Sequence, residues 1–133
     1  MHRKLIRFLA GVATTTVCVV GTNVASADEI SLRAGESADV HAVYWVSNCR
    51  SILKSFAGVD VVEGPPGVTL SIREEDVYAR RQNCSEKIPG GIVVVTAKDV
   101  PAKISSTLKY RVRYNTEDGL KQSNHSVQLA LSP

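Results

Sequence analysis

The sequence predicts an all-β domain, an antiparallel β-sandwich of about seven or eight short strands with one disulfide. Apolar and polar residues alternate with period two, most clearly over residues 68–73 and 107–132. Gly, Pro, Asn and Asp punctuate the chain at intervals of roughly ten residues, the spacing of short strands and turns. No segment after residue 27 carries the 3.6-residue apolar period of an amphipathic helix.

The first 27 residues read as a signal peptide. Arg3, Lys4 and Arg7 form a basic start, residues 8–20 are mostly apolar, and Ala25-Ser26-Ala27 fits the small-x-small cleavage pattern. The apolar stretch is shorter than the ~20 residues a spanning helix needs. Cys18 lacks the preceding Leu-small-small run of a lipoprotein signal. Cleavage after Ala27 leaves residues 28–133 as one small domain with room for a single core. It also changes the charge. Of 16 lysines and arginines, three leave with the signal, and the remaining 13 match the 13 acids. A neutral chain lacks the basic excess of a nucleic-acid binder and is not steered toward an anionic membrane. A periplasmic or secreted location follows from the leader.

The elements follow in order. Residues 29–33 (EISLR) form a strand with Ile30 and Leu32 inward, and 34–37 form a turn. Residues 39–47 form a second strand, with Val40, Ala42, Tyr44 and Val46 on one face and His41, Val43 and Trp45 on the other. Residues 51–57 fit a single helical turn or a loop, because Ile52, Leu53 and Phe56 lie at spacings of one, three and four. Residues 59–62 are a short strand, closed by Gly64-Pro65-Pro66-Gly67, a stiff sheet-to-sheet crossover. Residues 68–73 alternate with Val68, Leu70 and Ile72 inward. Glu74-Glu75-Asp76 reads as a turn, 77–83 as strand or irregular chain, and Pro89-Gly90-Gly91 as another turn. Residues 92–97 (IVVVTA) are a buried central strand.

Residues 107–132 are a hairpin. Leu108, Tyr110, Val112 and Tyr114 alternate with charged or polar neighbours, and Asp118-Gly119 is a favoured two-residue turn. With that turn, Leu108 faces Leu129, Tyr110 faces Val127, Arg111 faces Ser126, and His125 lies near Val112. A four-residue loop on the same centre keeps this register.

Cys49 and Cys84 remain as an even pair in an exported domain, where thiols oxidise. Their bridge closes a loop of about 35 residues, which the chain-entropy model makes worth roughly 3–4 kcal/mol.

Residues 92–131 resemble the last part of immunoglobulin-like and fibronectin type III modules of exported bacterial proteins. The likeness lies in a buried strand, a connection, the Tyr110-x-Val112-x-Tyr114 strand, an Asp-Gly turn, and the final Val127-x-Leu129-x-Leu131 strand. It implies an immunoglobulin-like antiparallel β-sandwich and a tyrosine, Tyr110, that pins the connection before the sixth strand. The chain departs from antibody-type domains, because Cys84 precedes that strand and Trp45 precedes Cys49. The whole region after the leader also resembles small exported bacterial proteins with no assigned activity.

Little points to chemistry. After the leader there are two histidines, His41 and His125, and no methionine, so the soft ligand clusters of copper carriers are missing and no metal or cofactor is expected. The Glu74-Glu75-Asp76 run lacks the Asp-x-Asp partners of calcium junctions. No Gly-x-Ser-x-Gly elbow or unpaired thiol marks a nucleophile, so no catalytic residue is expected. The expectation is a non-enzymatic module binding an envelope or extracellular protein. Tyr44 and Trp45 form one candidate surface. Tyr78, Arg80, Arg81 and Gln82 beside the disulfide form the other, which also reads as a charged edge that keeps a strand soluble. The alternative is a small periplasmic enzyme inhibitor, acting through a disulfide-braced loop around Gly64-Pro65-Pro66-Gly67.

Overall fold

The computed structural model describes residues 29–133. The expected signal peptide, with its expected cleavage site after Ala27, and Cys18 lie outside the described residues. Nine strands are formed among the described residues: β1 (Glu29–Arg33), β2 (Ser37–Val43), β3 (Val46–Ser47), β4 (Arg50–Ser51), β5 (Leu53–Glu63), β6 (Val68–Tyr78), β7 (Lys87–Ala97), β8 (Ile104–Thr116) and β9 (Gly119–Ser132). A single 3₁₀ turn, Arg80–Gln82, sits between β6 and β7.

A four-stranded sheet has the order β1-β9-β8-β5, and a three-stranded sheet the order β2-β7-β6. β3 and β4 make a small separate ribbon. Pairing within the two main sheets is antiparallel except at β1, which runs parallel to residues 128–132 of β9. The central strands supply the core. Leu108, Tyr110, Val112 and Tyr114 of β8 and Leu129 and Leu131 of β9 meet Val93, Val95 and Ala97 of β7, all nearly inaccessible to solvent. Their period of two is what makes each sheet apolar on its inner face.

The structure departs from the sequence expectations at several places, each for a local reason. The hairpin forms, but its register differs by two residues: Leu108 faces Val127, and Tyr110 faces His125. Asp118 does not take positive φ; Gly119 alone does, at 104°. The loop is therefore Glu117-Asp118 followed by a glycine at positive φ, not a turn that puts Asp and Gly both at positive φ. Thr116 fixes it, since its hydroxyl donates to the Gly119 carbonyl (2.7 Å) and accepts from the Asp118 N–H (3.1 Å). A shift of two leaves every side chain on its original face, so alternation cannot detect it.

Residues 53–57 are strand, not helix or loop. β5 carries three register irregularities, which break the even spacing of Leu53, Phe56 and Val59. In β2 an irregularity between Asp39 and His41 changes the facing, so that His41 and Val43 point inward with Ala38 and Val40, and Ala42 is exposed. Glu74-Glu75-Asp76 continues β6, and Pro89-Gly90-Gly91 begins β7. Those glycines answer close packing. A Cβ on Gly90 would lie 2.7 Å from the Val43 carbonyl oxygen, and one on Gly91 would lie 2.8 Å from Ile72 Cγ2. The Pro89 carbonyl accepts from Ser51 Oγ (3.0 Å), so its main chain faces away from β6 and the missing N–H breaks no ladder bond there. The Gly64-Pro65-Pro66-Gly67 segment is the crossover between sheets, as expected. Tyr110 does not pin the connection before β8. Its hydroxyl hydrogen-bonds His41 Nδ1 of β2 and so ties one sheet to the other.

Candidate functional site

The ends of β2, β6 and β8 and the starts of β5, β7 and β9 lie together, because Val43 pairs with Gly91, Tyr78 with Lys87, Leu53 with Thr116 and Thr116 with Gly119. Three loops therefore share this end: 44–52, 79–86 and 117–118. Several bonds lock them. Asn48 and Cys49, both at positive φ (53° and 60°), make the two-residue turn of the β3–β4 ribbon. Asn83, also left-handed, ends the 3₁₀ turn and delivers Cys84. The Cys49–Cys84 disulfide, with Cα atoms 5.5 Å apart, joins the first two loops. The Glu117 N–H donates to the Ile52 carbonyl (2.9 Å), and Arg50 pairs with Glu117 (3.2 Å), which ties in the third. The Tyr44 hydroxyl accepts from the Arg81 N–H (3.4 Å). Below the disulfide, Ala79, Cys84 and Ile88 form a second small apolar cluster with Tyr44 and Val46.

A cleft of about 820 Å³ opens beside these loops. Its walls include His41, Tyr44, Trp45, Tyr78, Arg81 and His125. Of the expected interface residues, Tyr78, Arg80, Arg81 and Gln82 all line it, brought together by the end of β6 and the 3₁₀ turn. Tyr78 is 40% exposed. Arg80 and Lys87 both stand over its ring, at 5.4 and 5.6 Å from the centroid. Of the aromatic pair, Trp45 packs on Tyr114 (5.0 Å between ring centroids) and belongs to the core margin.

The cleft floor holds residues that the sequence did not single out as a site. Tyr114 Oη and Ser123 Oγ share a hydrogen bond of 2.6 Å, and Ser123 Oγ and His125 Nε2 share one of 2.8 Å. The His125 ring lies 5.1 Å from that of His41 and stacks on Tyr110 at 5.3 Å. Burial, then repulsion from His41 and Arg81, holds His125 down at about 4. Burial raises the phenols of Tyr110 and Tyr114.

A hydroxyl against an imidazole invites comparison with a hydrolase. A nucleophile needs a base near the working pH and a third group to orient it. His125 is too weak a base, and among the described residues no ion pair or hydrogen bond joins it to a carboxylate. Among the described residues no group of three or more His, Cys, Asp or Glu is placed to hold a metal ion. The arrangement presents cations, aromatic rings and hydroxyls.

The Gly64-Pro65-Pro66-Gly67 loop is at the other end of the domain. Gly67 precedes Val68, ten residues along β6 from the Tyr78 end where Cys84 follows. The disulfide does not brace it, contrary to the expectation. Nor does it project: Pro65 is buried, and the Gly67 carbonyl accepts from the Lys98 N–H (2.6 Å). A Cβ on Gly67, at φ 84°, would meet the Asp99 carbonyl oxygen at 2.1 Å. Among the described residues no helix is long and apolar enough to cross a membrane. Comparisons with protein-family models, curated proteins and solved structures found no match.

Proposed function

We propose that the chain is an exported, immunoglobulin-like binding module that holds another envelope or extracellular protein by its loop end and catalyses no reaction. The strand order supports the immunoglobulin-like reading. β2, β7 and β6 take the places of strands B, E and D, and β5, β8 and β9 those of C, F and G, with the first strand laid on G. The loops of the locked end are then the B–C, D–E and F–G loops, the end with which variable domains bind. The disulfide and the leader residues support export.

The observation that carries the proposal is the locking of all three loops around an exposed Tyr78 flanked by Arg80 and Lys87. Pre-fixed loops lose little entropy on binding, and Tyr and Arg are the residue types that dominate interface energies. The test is cross-linking in a cell-envelope extract with the parent chain and the Tyr78→Ala/Arg80→Ala variant. A protein captured by the parent and lost in the variant supports the reading. Capture of a glycan or metal with no protein overturns it.

A further inference from the structure

Residues 119–127 of β9 pair with β8 on one side and, among the described residues, with no strand on the other, since β1 covers only 128–132. This edge is about 30 Å long at strand rise. The other open edges are blunted. β1 is only five residues long, β5 has three register irregularities and β2 one, and β6 carries Glu74, Glu75 and Asp76. The free half of β9 has no proline, and its thirteen-pair ladder with β8 runs without a bulge. Its inward side chains are Lys121, Ser123 and His125, all half-buried, and the last two reach the cleft. The cleft lining sets Arg80, Arg81 and Lys87 against Glu75 and Asp76, and Glu75 is paired with Arg73. Arg81, across the cleft, is in no salt bridge among the described residues, and its charge is felt at both His125 and Tyr114.

We infer that the free half of β9 receives an extended segment of a partner protein as an added strand, with an acidic side chain of that segment reaching Arg81 of the cleft and Lys121 on the strand's own inward face. The inference rests on the protein-binding reading above and names its surface and partner chemistry. Main-chain bonds to a straight edge supply affinity, and alternate side chains supply selection. A second copy fits poorly, because it would bring another Lys121 and Arg81 against the same two cations.

The test uses the full chain and two nine-residue Thr/Val peptides, one with a central glutamate and one with a central lysine, followed by amide hydrogen exchange. The glutamate peptide should slow exchange at alternate amides between 120 and 127, and the lysine peptide should bind at least about tenfold more weakly. Arg81→Glu should reverse the preference with the melting temperature unchanged. Lys121→Glu, on the strand itself, is the second such variant. Equal protection by both peptides, protection at β2 or β6 instead, or protection without peptide (from the leader or a second copy) overturns the inference. If the chain captures an envelope protein through Tyr78 while exchange at 120–127 stays unchanged, strand addition fails and the binding reading stands. If nothing is captured while the glutamate peptide protects β9, the loop-end reading fails and strand addition stands.

Discussion

Replacing both bridge cysteines, Cys49→Ser with Cys84→Ser, is expected to cost about 4 kcal/mol of folding stability. The bridge spans 35 residues, and closing a loop of that length removes roughly 13 cal/mol/K of chain entropy from the unfolded state, or nearly 4 kcal/mol at 25 °C. For a domain of about 105 residues, whose unfolding entropy is roughly 0.2 kcal/mol/K, this lowers the melting temperature by about 15–20 °C. The folded state should keep its shape, because the Arg81–Tyr44 bond still joins the two bridged loops, and the Ser51–Pro89 bond and the Arg50–Glu117 pair still tie the first of them to β7 and to the third loop. The effect therefore acts on the unfolded chain. Urea denaturation of the oxidised parent, the reduced parent and the double variant measures it. The last two should coincide, well below the first, with unchanged near-ultraviolet circular dichroism at low urea. A loss under about 1 kcal/mol would refute the reasoning, since the loop length alone sets the larger value.

Other perturbations separate the forces in the core. Gly91→Ala places a methyl 2.8 Å from Ile72 Cγ2 and 2.9 Å from Phe56 Cε2, and should destabilise by about 1–3 kcal/mol. Gly35→Ala meets no atom within 4 Å and pays only for its φ of 92°, roughly 1–2 kcal/mol, so urea midpoints should rank Gly91→Ala as the same or worse. Leu129→Ala empties a fully buried site between the sheets and should cost about 2–5 kcal/mol by the same assay. His125 titrates near 4 in the folded chain against an ordinary 6.5, so the unfolded state takes the proton first. Its contribution is complete above pH 6.5 and falls away as the pH drops toward 4. His125→Gln should flatten the fall in melting temperature over that interval, and the His125 ring signals should titrate near 4 by NMR.

The fold was legible where one face of a strand is buried. Val68, Leu70 and Ile72, the 92–97 run and the alternation of β8 and β9 announce themselves because only a pleated strand puts every second residue inside. What the sequence concealed is what alternation does not encode. A two-residue shift preserves facing, so Tyr110 was set against Val127 when it faces His125. Bulges in β2 and β5 scramble the period, so residues 51–57 read as a helical turn or a loop and His41 reads as opposite Val40, when the two share the inner face. Pro89-Gly90-Gly91 looked like a turn because the close contacts that demand glycine there come from Val43, Val77, Ile72 and Phe56, remote in sequence.

The site divides the same way. Tyr78, Arg80, Arg81 and Gln82 were visible as a basic, aromatic segment next to a cysteine. His41, Ser123 and His125 were not, because two distant strands must be assembled before they meet. One sign was present: Ser123 and His125 share the parity of Val127, Leu129 and Leu131, so they are polar residues on an inward face. Polar groups in that position mark either a buried network or an opening, and here they mark both.

The most direct test of the account is site-specific photo-cross-linking in intact cells, with the photoreactive side chain placed in turn at Tyr78, Gln82, Lys98 and Pro66. The first two stand at the locked loop end and the last two at the opposite end of the sandwich. The account predicts one discrete cross-linked protein from positions 78 and 82 and none from 98 and 66. The same product from 98 and 66, with none from 78 and 82, would contradict it.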